Sequence, residues 1–580
     1  MQSTIRSHKA QKVIERMGQK LNRQIVGSLV ACVHCGNCTQ SCHYVLANPD
    51  DPSYAPAAKA DKIRKLFKHH YDWTGRVFPW WVKGGSVYTD ADLEELKDTV
   101  FGKCTNCRRC SLNCPMGVDY ATFNRMARGL LVSVGVMPEG VAVVSKDQWE
   151  LGNQMGVLKE DYLDTLQWMS EELVDEVGDP AAAIPIDKKG AEIMYTINPR
   201  EAKYDPRSIA DAAKIFWAAG ASWTMPSEGW DMTNFGLFSG DDELGGTVAR
   251  RVYEKAEELG VKKVVVSECG HGYRSTRCEG PNWAGYDMTR FEMESSVITM
   301  LRYIKDGIIK VDRSKNTERY TFHDSCNNAR SCGLTEEPRE LLRLVTTDFQ
   351  EMFPNRAENY CCTGGGGAMS MGEYTPRRLK SGEVKAKQLR DTGAGSVVTS
   401  CHNCVDGLGD VIKHYKLDMK VTQLVNLVAE ALVLEDKIQA QVPAAVAVDR
   451  PLAGRTILVV DDEADVRTFL QAVFEDHGAR VLVAENGSRA LELARREQPD
   501  LVTLDLSMPG QDGGKVYHAL KSEVATRALK VCIVTGKPEL RKLIYDREVP
   551  PPEGYLDKPV AEDTLILNAR RILELADEEA

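Results

Sequence analysis

Two cysteine runs constrain this chain more than any other feature. Cys32-Val-His-Cys35-Gly-Asn-Cys38-Thr-Gln-Ser-Cys42 and Cys104-Thr-Asn-Cys107-Arg-Arg-Cys110-Ser-Leu-Asn-Cys114-Pro115 share the spacing C-x2-C-x2-C-x3-C. Two-residue gaps let three successive thiolates curl around one 4Fe-4S cubane, while the fourth cysteine points away to ligate the other cluster. One cubane is then expected to take Cys32, Cys35, Cys38 and Cys114, and the second Cys104, Cys107, Cys110 and Cys42. Zinc also accepts Cys-x-x-Cys pairs, but a structural zinc site needs four ligands with a wider gap between pairs, so two copies of this run favour iron-sulfur. The first run has His43 where the second has Pro115, a departure that bears on the loop exit more than on ligation.

Seventeen cysteines in 580 residues are too few for a disulfide scaffold, and a cytosolic setting disfavours disulfides. Sixteen of them lie between Cys32 and Cys404, which leaves a thiol-rich body and a thiol-poor tail. The length argues for several domains, and 43% hydrophobic with 27% charged residues fits a folded protein. A formal charge of −11 gives no reason to expect nucleic acid as a partner. No apolar run is long enough to span a membrane, and the first 27 residues lack a signal-peptide core. The expected location is the cytoplasm, either free or peripheral on the cytoplasmic face of the inner membrane. The segment between the runs carries Trp73, Trp80 and Trp81; it reads as a plug that keeps water off the clusters or as a docking surface for a membrane or quinone-facing subunit.

Beyond the second run, Val264–Cys269, Tyr320–Cys326 and Ser396–Cys401 are β-rich stretches that each end in cysteine. Helical stretches at Val248–Leu259, Pro338–Thr346 and Arg377–Asp391 alternate with them, the pattern of an α/β fold whose strand ends carry the site. Cys326, Cys361-Cys362-Thr363 followed by four glycines, and Cys401-His-Asn-Cys404 make one five-thiol set. The set resembles the cysteine-rich CCG domain of heterodisulfide reductases, and the resemblance implies a noncubane 4Fe-4S cluster. Thr363 departs from that family, which has glycine after the paired cysteines. The glycines suit a backbone that must wrap an inorganic core closely.

Residues 229–269 run parallel to 361–404 as an internal repeat, with the paired cysteines absent from the first copy. One noncubane site is therefore expected, walled by Glu268-Cys269-Gly270-His271-Gly272-Tyr273-Arg274 of the degenerate copy. Cys269 is a candidate for disulfide exchange, with Arg274 or His271 steadying its thiolate and His271 as proton donor. Cys278 and Cys332 read as ordinary buried thiols.

From Cys32 to about Leu434 the chain resembles the D-type subunit of heterodisulfide reductase and its DsrK relatives, on Cys32–Cys38, Glu268–Arg274 and His323–Cys326. The resemblance implies an oxidoreductase subunit that moves electrons between a membrane b-type cytochrome, a quinone-linked subunit or a flavin-containing electron-transfer subunit and a disulfide-like acceptor. The other reading is a redox-sensing interaction protein, whose clusters sense and whose tail reports.

The tail follows a low-complexity stretch, Gln439–Val448. Thr456–Glu463 and Leu501–Gly510 are buried-strand patterns ending in Asp461, Asp462 and Asp505; Cys532–Lys537 and Gly554–Pro559 come after them. This set resembles a response-regulator receiver domain. The resemblance implies Asp505 as phosphoacceptor, Asp461, Asp462 and Asp505 as Mg2+ ligands, Thr535 and Lys558 on the phosphoryl group, Tyr555 as conformational reporter, and a sensor histidine kinase as partner. The expected fold is α/β multidomain: a helical ferredoxin-type part at 1–135, a doubled cysteine-rich module at 136–435 with copies at 190–280 and 320–410, a linker at 436–453, and a doubly wound (βα)5 receiver at 454–580.

Overall fold

The computed structural model describes residues 6–434, save positions 79, 83 and 88, and residues 451–575, save 509–512, 537–548, 559, 561 and 574. Most of the expected linker, together with Pro79, Pro509, Gly510, Lys537 and Pro559, lies outside the described residues. The chain divides into two compact units, Met1–Gln441 and Val442–Ala580.

Valine-rich stretches become strands buried on both faces, as parallel sheets demand. The larger unit holds two such sheets. The first contains β1 (Ile193–Thr196), β2 (Trp223–Thr224), β3 (Lys263–Val266) and β4 (Glu292–Ser295), in the order β2-β1-β3-β4. The second contains β5 (Arg319–His323), β6 (Asp348–Phe349), β7 (Ser396–Thr399) and β8 (Lys420–Thr422), in the order β6-β5-β7-β8. Every pairing is parallel, and the central registers match: Tyr195 lies beside Val265 in one sheet and Phe322 beside Val398 in the other. These four side chains belong to a single apolar core. The two copies therefore share one interior, and helix Arg207–Ala218 packs on helix Leu424–Ala431 between them.

The cysteine runs sit in a helical portion. Helices His8–Lys20, Arg23–Val30 and Tyr120–Val132 start where Ser7, Asn22 and Asp119 accept hydrogen bonds from Ala10, Ile25 and Thr122. Their core, with Leu93, Phe101, Phe123 and Leu131, continues into Phe235, Phe238, Ala368 and Met371 of the sheet module. Arg128 is fully buried at this seam; its guanidinium donates to the carbonyls of Cys104, Gly366, Val100 and Phe238 at 2.6–2.9 Å. The division expected at residue 135 is thus packed through.

Two local expectations need correction. The stretch Arg377–Asp391 forms two helices, Thr375–Ser381 and Glu383–Arg390, broken at Gly382, where a Cβ would come 2.8 Å from Val411. Trp73, Trp80 and Trp81 are each 74% exposed and so do not seal the clusters.

In the smaller unit, β9 (Thr456–Val460), β10 (Arg480–Ala484), β11 (Leu501–Leu504), β12 (Lys530–Thr535) and β13 (Gly554–Asp557) form a parallel sheet in the order β10-β9-β11-β12-β13. Apolar clusters cover both of its faces. No helix among the described residues is long and apolar enough to cross a membrane.

Candidate metal centres and phosphoacceptor site

The cysteine runs take one backbone path. In each, the residues flanking the second cysteine are left-handed: His34 and Gly36 around Cys35 (φ 55° and 84°), Asn106 and Arg108 around Cys107 (φ 52° and 66°). Such reversals bend the chain around a centre instead of letting it propagate as helix. Cys38 has Cys32, Cys114 and Cys35 as charge neighbours, and burial pushes its thiol up. Cys110 has Cys107, Cys42 and Cys104, and is likewise raised by burial. The fold thereby gathers Cys32, Cys35, Cys38 and Cys114 in one group and Cys42, Cys104, Cys107 and Cys110 in another. Lys59, which sequence reasoning missed, is buried beside the second group and donates to the Lys103 carbonyl at 2.8 Å. Burial opposes its charge, yet the surrounding thiolates of Cys42, Cys104, Cys110 and Cys107 hold it above the ordinary lysine range.

The third group assembles at the ends of β5 and β7. Cys361, Cys362, Cys401 and Cys404 are buried, with Cys326 half-buried beside them. Cys362 is hydrogen-bonded to Cys361 and Cys404, which pulls it down, with His323 assisting. His323, Cys362 and Cys404 place their donor atoms within 4.8 Å of one another. The group abuts the second run: the Cys107 and Cys361 thiols share a hydrogen bond, and Thr105 Oγ1 lies 3.4 Å from Cys361 Sγ.

The glycine loop explains its composition by contact. A Cβ on Gly364 would meet the Asn403 carbonyl at 2.3 Å, and one on Gly366 (φ 66°) the Thr105 carbonyl at 2.3 Å. Thr363 itself has φ 70°, a region costly for a β-branched residue. Every cysteine is a free thiol despite this crowding. Soft donors gathered in threes to fives, on loops without room for side chains, fit iron-sulfur ligation.

The candidate exchange residues separate into two places. Cys269 is buried with Sγ 3.3 Å from His271 Nδ1 and accepts from Asn198 Nδ2 at 3.5 Å. Burial, then the nearby Cys401, raises its pKa. His271 also lies 3.1 Å from Asn403 and, through a hydrogen bond, beside Cys401. Arg274 turns elsewhere: it pairs with Glu279 at 2.7 Å and donates to Asn327 at 3.2 Å. It is therefore not placed to steady the Cys269 thiolate. Instead it lines a cavity of about 230 Å3 with Lys20, Arg125, Trp283, Asn327 and Cys326. Behind Cys269, His402 Nε2 lies 3.0 Å from Glu201, and burial drives Glu268 up to about 8.

In the smaller unit Asp461 and Asp505 are buried at the ends of β9 and β11. Lys558 Nζ lies 2.7 Å from both and 3.2 Å from Glu463. Burial raises the Asp461 carboxyl even though Lys558 opposes it. The acidic trio within ligand reach is Asp461, Glu463 and Asp505. Asp462 stands half-buried outside that trio, and Glu463, which the strand-end pattern does not single out, stands within it. Thr535 is buried at the end of β12, with Oγ1 3.4 Å from Ser507 Oγ, while Tyr555 packs on the core of this sheet.

This is an iron-sulfur oxidoreductase-type body joined to a receiver-fold unit. Residues 28–118 match the family described as a 4Fe-4S dicluster domain, 320–408 the cysteine-rich domain and 457–570 the response regulator receiver domain. The chain is 28% identical over 459 residues to Hdr-like menaquinol oxidoreductase iron-sulfur subunit 2 of Archaeoglobus fulgidus, covering 71% of this chain and 81% of that protein. It is 27% identical over 415 residues to the D-type subunit of the dihydromethanophenazine:CoB–CoM heterodisulfide reductase of Methanosarcina mazei, covering 70% and 95%. Its tail is 38% identical over 117 residues to protein PilH of Pseudomonas aeruginosa, covering 20% and 96%. Residues 457–570 belong to the response regulator receiver family, and the larger unit is similar to D-type iron-sulfur subunits of heterodisulfide reductase.

Proposed function

We propose that the larger unit conducts electrons between a partner and a thiol or disulfide reactant through two cubane sets and one noncubane set. When bound, such clusters supply one-electron carriers at thiolate-tuned potentials. The observation that carries this reading is the contact of Cys107 and Thr105 with Cys361, which brings the second run against the five-thiol group. Cys269 offers the exchanging sulfur and His271 the proton beside Cys401. Arg274, Arg125 and Lys20 line the cavity together with their ion-pair partners Glu279 and Asp242, an excess of one positive charge toward an anionic reactant.

The relatives named for menaquinol and heterodisulfide chemistry support a quinone-linked or b-type cytochrome partner at the cytoplasmic membrane face; a flavin-containing partner would serve the same set. In the receiver, Asp505 accepts a phosphoryl group from a histidine kinase, Mg2+ sits among Asp461, Asp505 and Glu463 or Asp462, and Lys558 meets the added charge. This modification regulates electron flow.

The test is iron and acid-labile sulfide content of anaerobic protein, with paramagnetic spectra during thiol titration. About twelve irons per chain and a thiol-responsive signal are expected; zinc, or iron sufficient for the cubanes alone, refutes the reading. Phosphorylation of the wild type but not of Asp505→Asn, with a change in turnover, tests the regulatory half.

A further inference from the structure

In the larger unit, Cys278 and Cys332 belong neither to these groups nor to the Cys269 site, and the structure overturns their expected burial. Cys278 is exposed and Cys332 half-buried. They come from different copies of the repeat. Cys278 lies in the turn Ser275–Glu279, which continues helix Gly270–Arg274 after β3, and Cys332 closes the turn Asn327–Ser331 after β5. Helix Gly270–Arg274 packs on the turn Asn327–Ser331, pinned by the Arg274–Asn327 hydrogen bond at 3.2 Å. This packing brings the two thiols into a mutual hydrogen bond.

We propose that Cys278 and Cys332 form a second redox site, a surface dithiol that exchanges with external disulfides, Cys278 attacking and Cys332 resolving. The asymmetry of the pair assigns the roles. Cys278 faces solvent, with Arg277 and Arg274 nearby; Cys332 lies inward, packed on the cluster of Met232, Tyr273, Leu334 and Cys269. The hydrogen bond from Cys332, with Arg277 and Arg274 in support, holds the Cys278 thiol down at about 6, while Cys332 is raised by the same bond. The attacking sulfur is thus a thiolate at neutral pH.

The exchange balances. The Cys278 thiolate attacks one sulfur of a disulfide RSSR, forming a Cys278–SR bond and expelling RS−. Cys332, giving up its proton, attacks Cys278 Sγ, forms the Cys278–Cys332 disulfide and expels the second RS−. The external disulfide gains two electrons and the protein dithiol loses them; an external dithiol reverses the reaction. The new bond would fasten together the turns beside Arg274 and Asn327, two residues lining the cavity that reaches Cys326. None of this depends on the cluster assignment.

The test uses the full chain, prepared anaerobically with its iron, treated with glutathione disulfide, alkylated and mapped by mass spectrometry. Wild type should yield a Cys278–Cys332 linked peptide, Cys332→Ser should arrest as a glutathione adduct on Cys278, and Cys278→Ser should give neither. Iodoacetamide should label Cys278 at pH 7 about tenfold faster than it labels glutathione. An unresolved glutathione adduct on wild-type Cys278, or no product at either cysteine, overturns the proposal. So does loss of iron in either variant, which would make these cysteines ligands. Wild-type iron content is read separately, so failure of the cluster reading shows on its own.

Discussion

The two copies of the sheet module share strand order, parallel pairing and a common core, yet only one carries five thiols. In both, the third strand of the copy leads to a helix capped by a cysteine, Cys269 in the first and Cys401 in the second. Past that cysteine the copies diverge. The second copy places Cys404 one turn on, whereas the first places His271 and Gly272, and a Cβ on Gly272 would strike Met232 Sδ at 2.2 Å. The first copy also carries buried polar groups that hold its neighbour: Glu201 reaches His402, and Glu268 accepts from the Val425 amide at 3.1 Å. The sheet topology therefore does not require the ligands, because they occupy loops beyond the strands. A copy without them becomes the wall that supports and serves the other.

That contrast can be broken outright at its two capping cysteines. Cys401→Ser should lose about four irons per chain and reduce turnover at least 100-fold. Cys269→Ser should keep its full iron while losing the thiol response of the spectrum and roughly 10- to 100-fold in turnover. Iron analysis beside steady-state assay separates them. Equal iron loss in both variants would make the first copy a ligand donor and end the distinction.

A smaller effect comes from Glu268. Burial lifts its carboxyl to about 8, far above the ordinary glutamate range near 4.5. Because the folded state binds this proton more tightly than the unfolded one, the associated stability is complete below about pH 4.5 and drains away as pH climbs through about 8. The substitution Glu268→Gln preserves the acceptor for Val425 without a titrating group. Between pH 5.5 and 8.5 the wild-type Tm should therefore fall several degrees further than that of Glu268→Gln. Parallel Tm profiles would show that Glu268 keeps its charge and that the wall is polar throughout.

What could be read from the sequence divides along the same line. Local spacing carried the two ferredoxin-type runs, the five-thiol set and the receiver's acidic strand ends, since each is a pattern written within a few residues of one loop. Features made by packing between distant segments left no such mark. Lys59 is a helix lysine like any other until the fold buries it among Cys42, Cys104 and Cys110. Cys278 and Cys332 meet only because two turns from different copies pack together. Arg274 follows His271 closely in sequence, but its side chain is drawn to Glu279 instead of the thiols. Glu463 joined the receiver trio for the same reason: a helix start, not a strand end, aims it at Lys558.

The smallest expected effect tests whether the second copy's loop is held under strain that the first does not share. Thr363 is left-handed at φ 70°, and a β-branched side chain there costs ~1–2 kcal/mol relative to relaxed backbone. Thr233, in the corresponding loop of the first copy, is equally buried but is not among the left-handed residues. Thr363→Gly relieves the strain but sacrifices buried methyl contact and gives the unfolded chain more freedom, so the net gain is on the order of 0.5 kcal/mol. Thr233→Gly has no strain to relieve and should lose about 1 kcal/mol. Thr363→Ala, which keeps the Cβ and drops the methyl and hydroxyl, should fall below wild type. Urea unfolding midpoints in the order Thr363→Gly, wild type, Thr363→Ala place the strain in the backbone of the cluster loop. The reverse order would mean that packing around the threonine outweighs its dihedral cost.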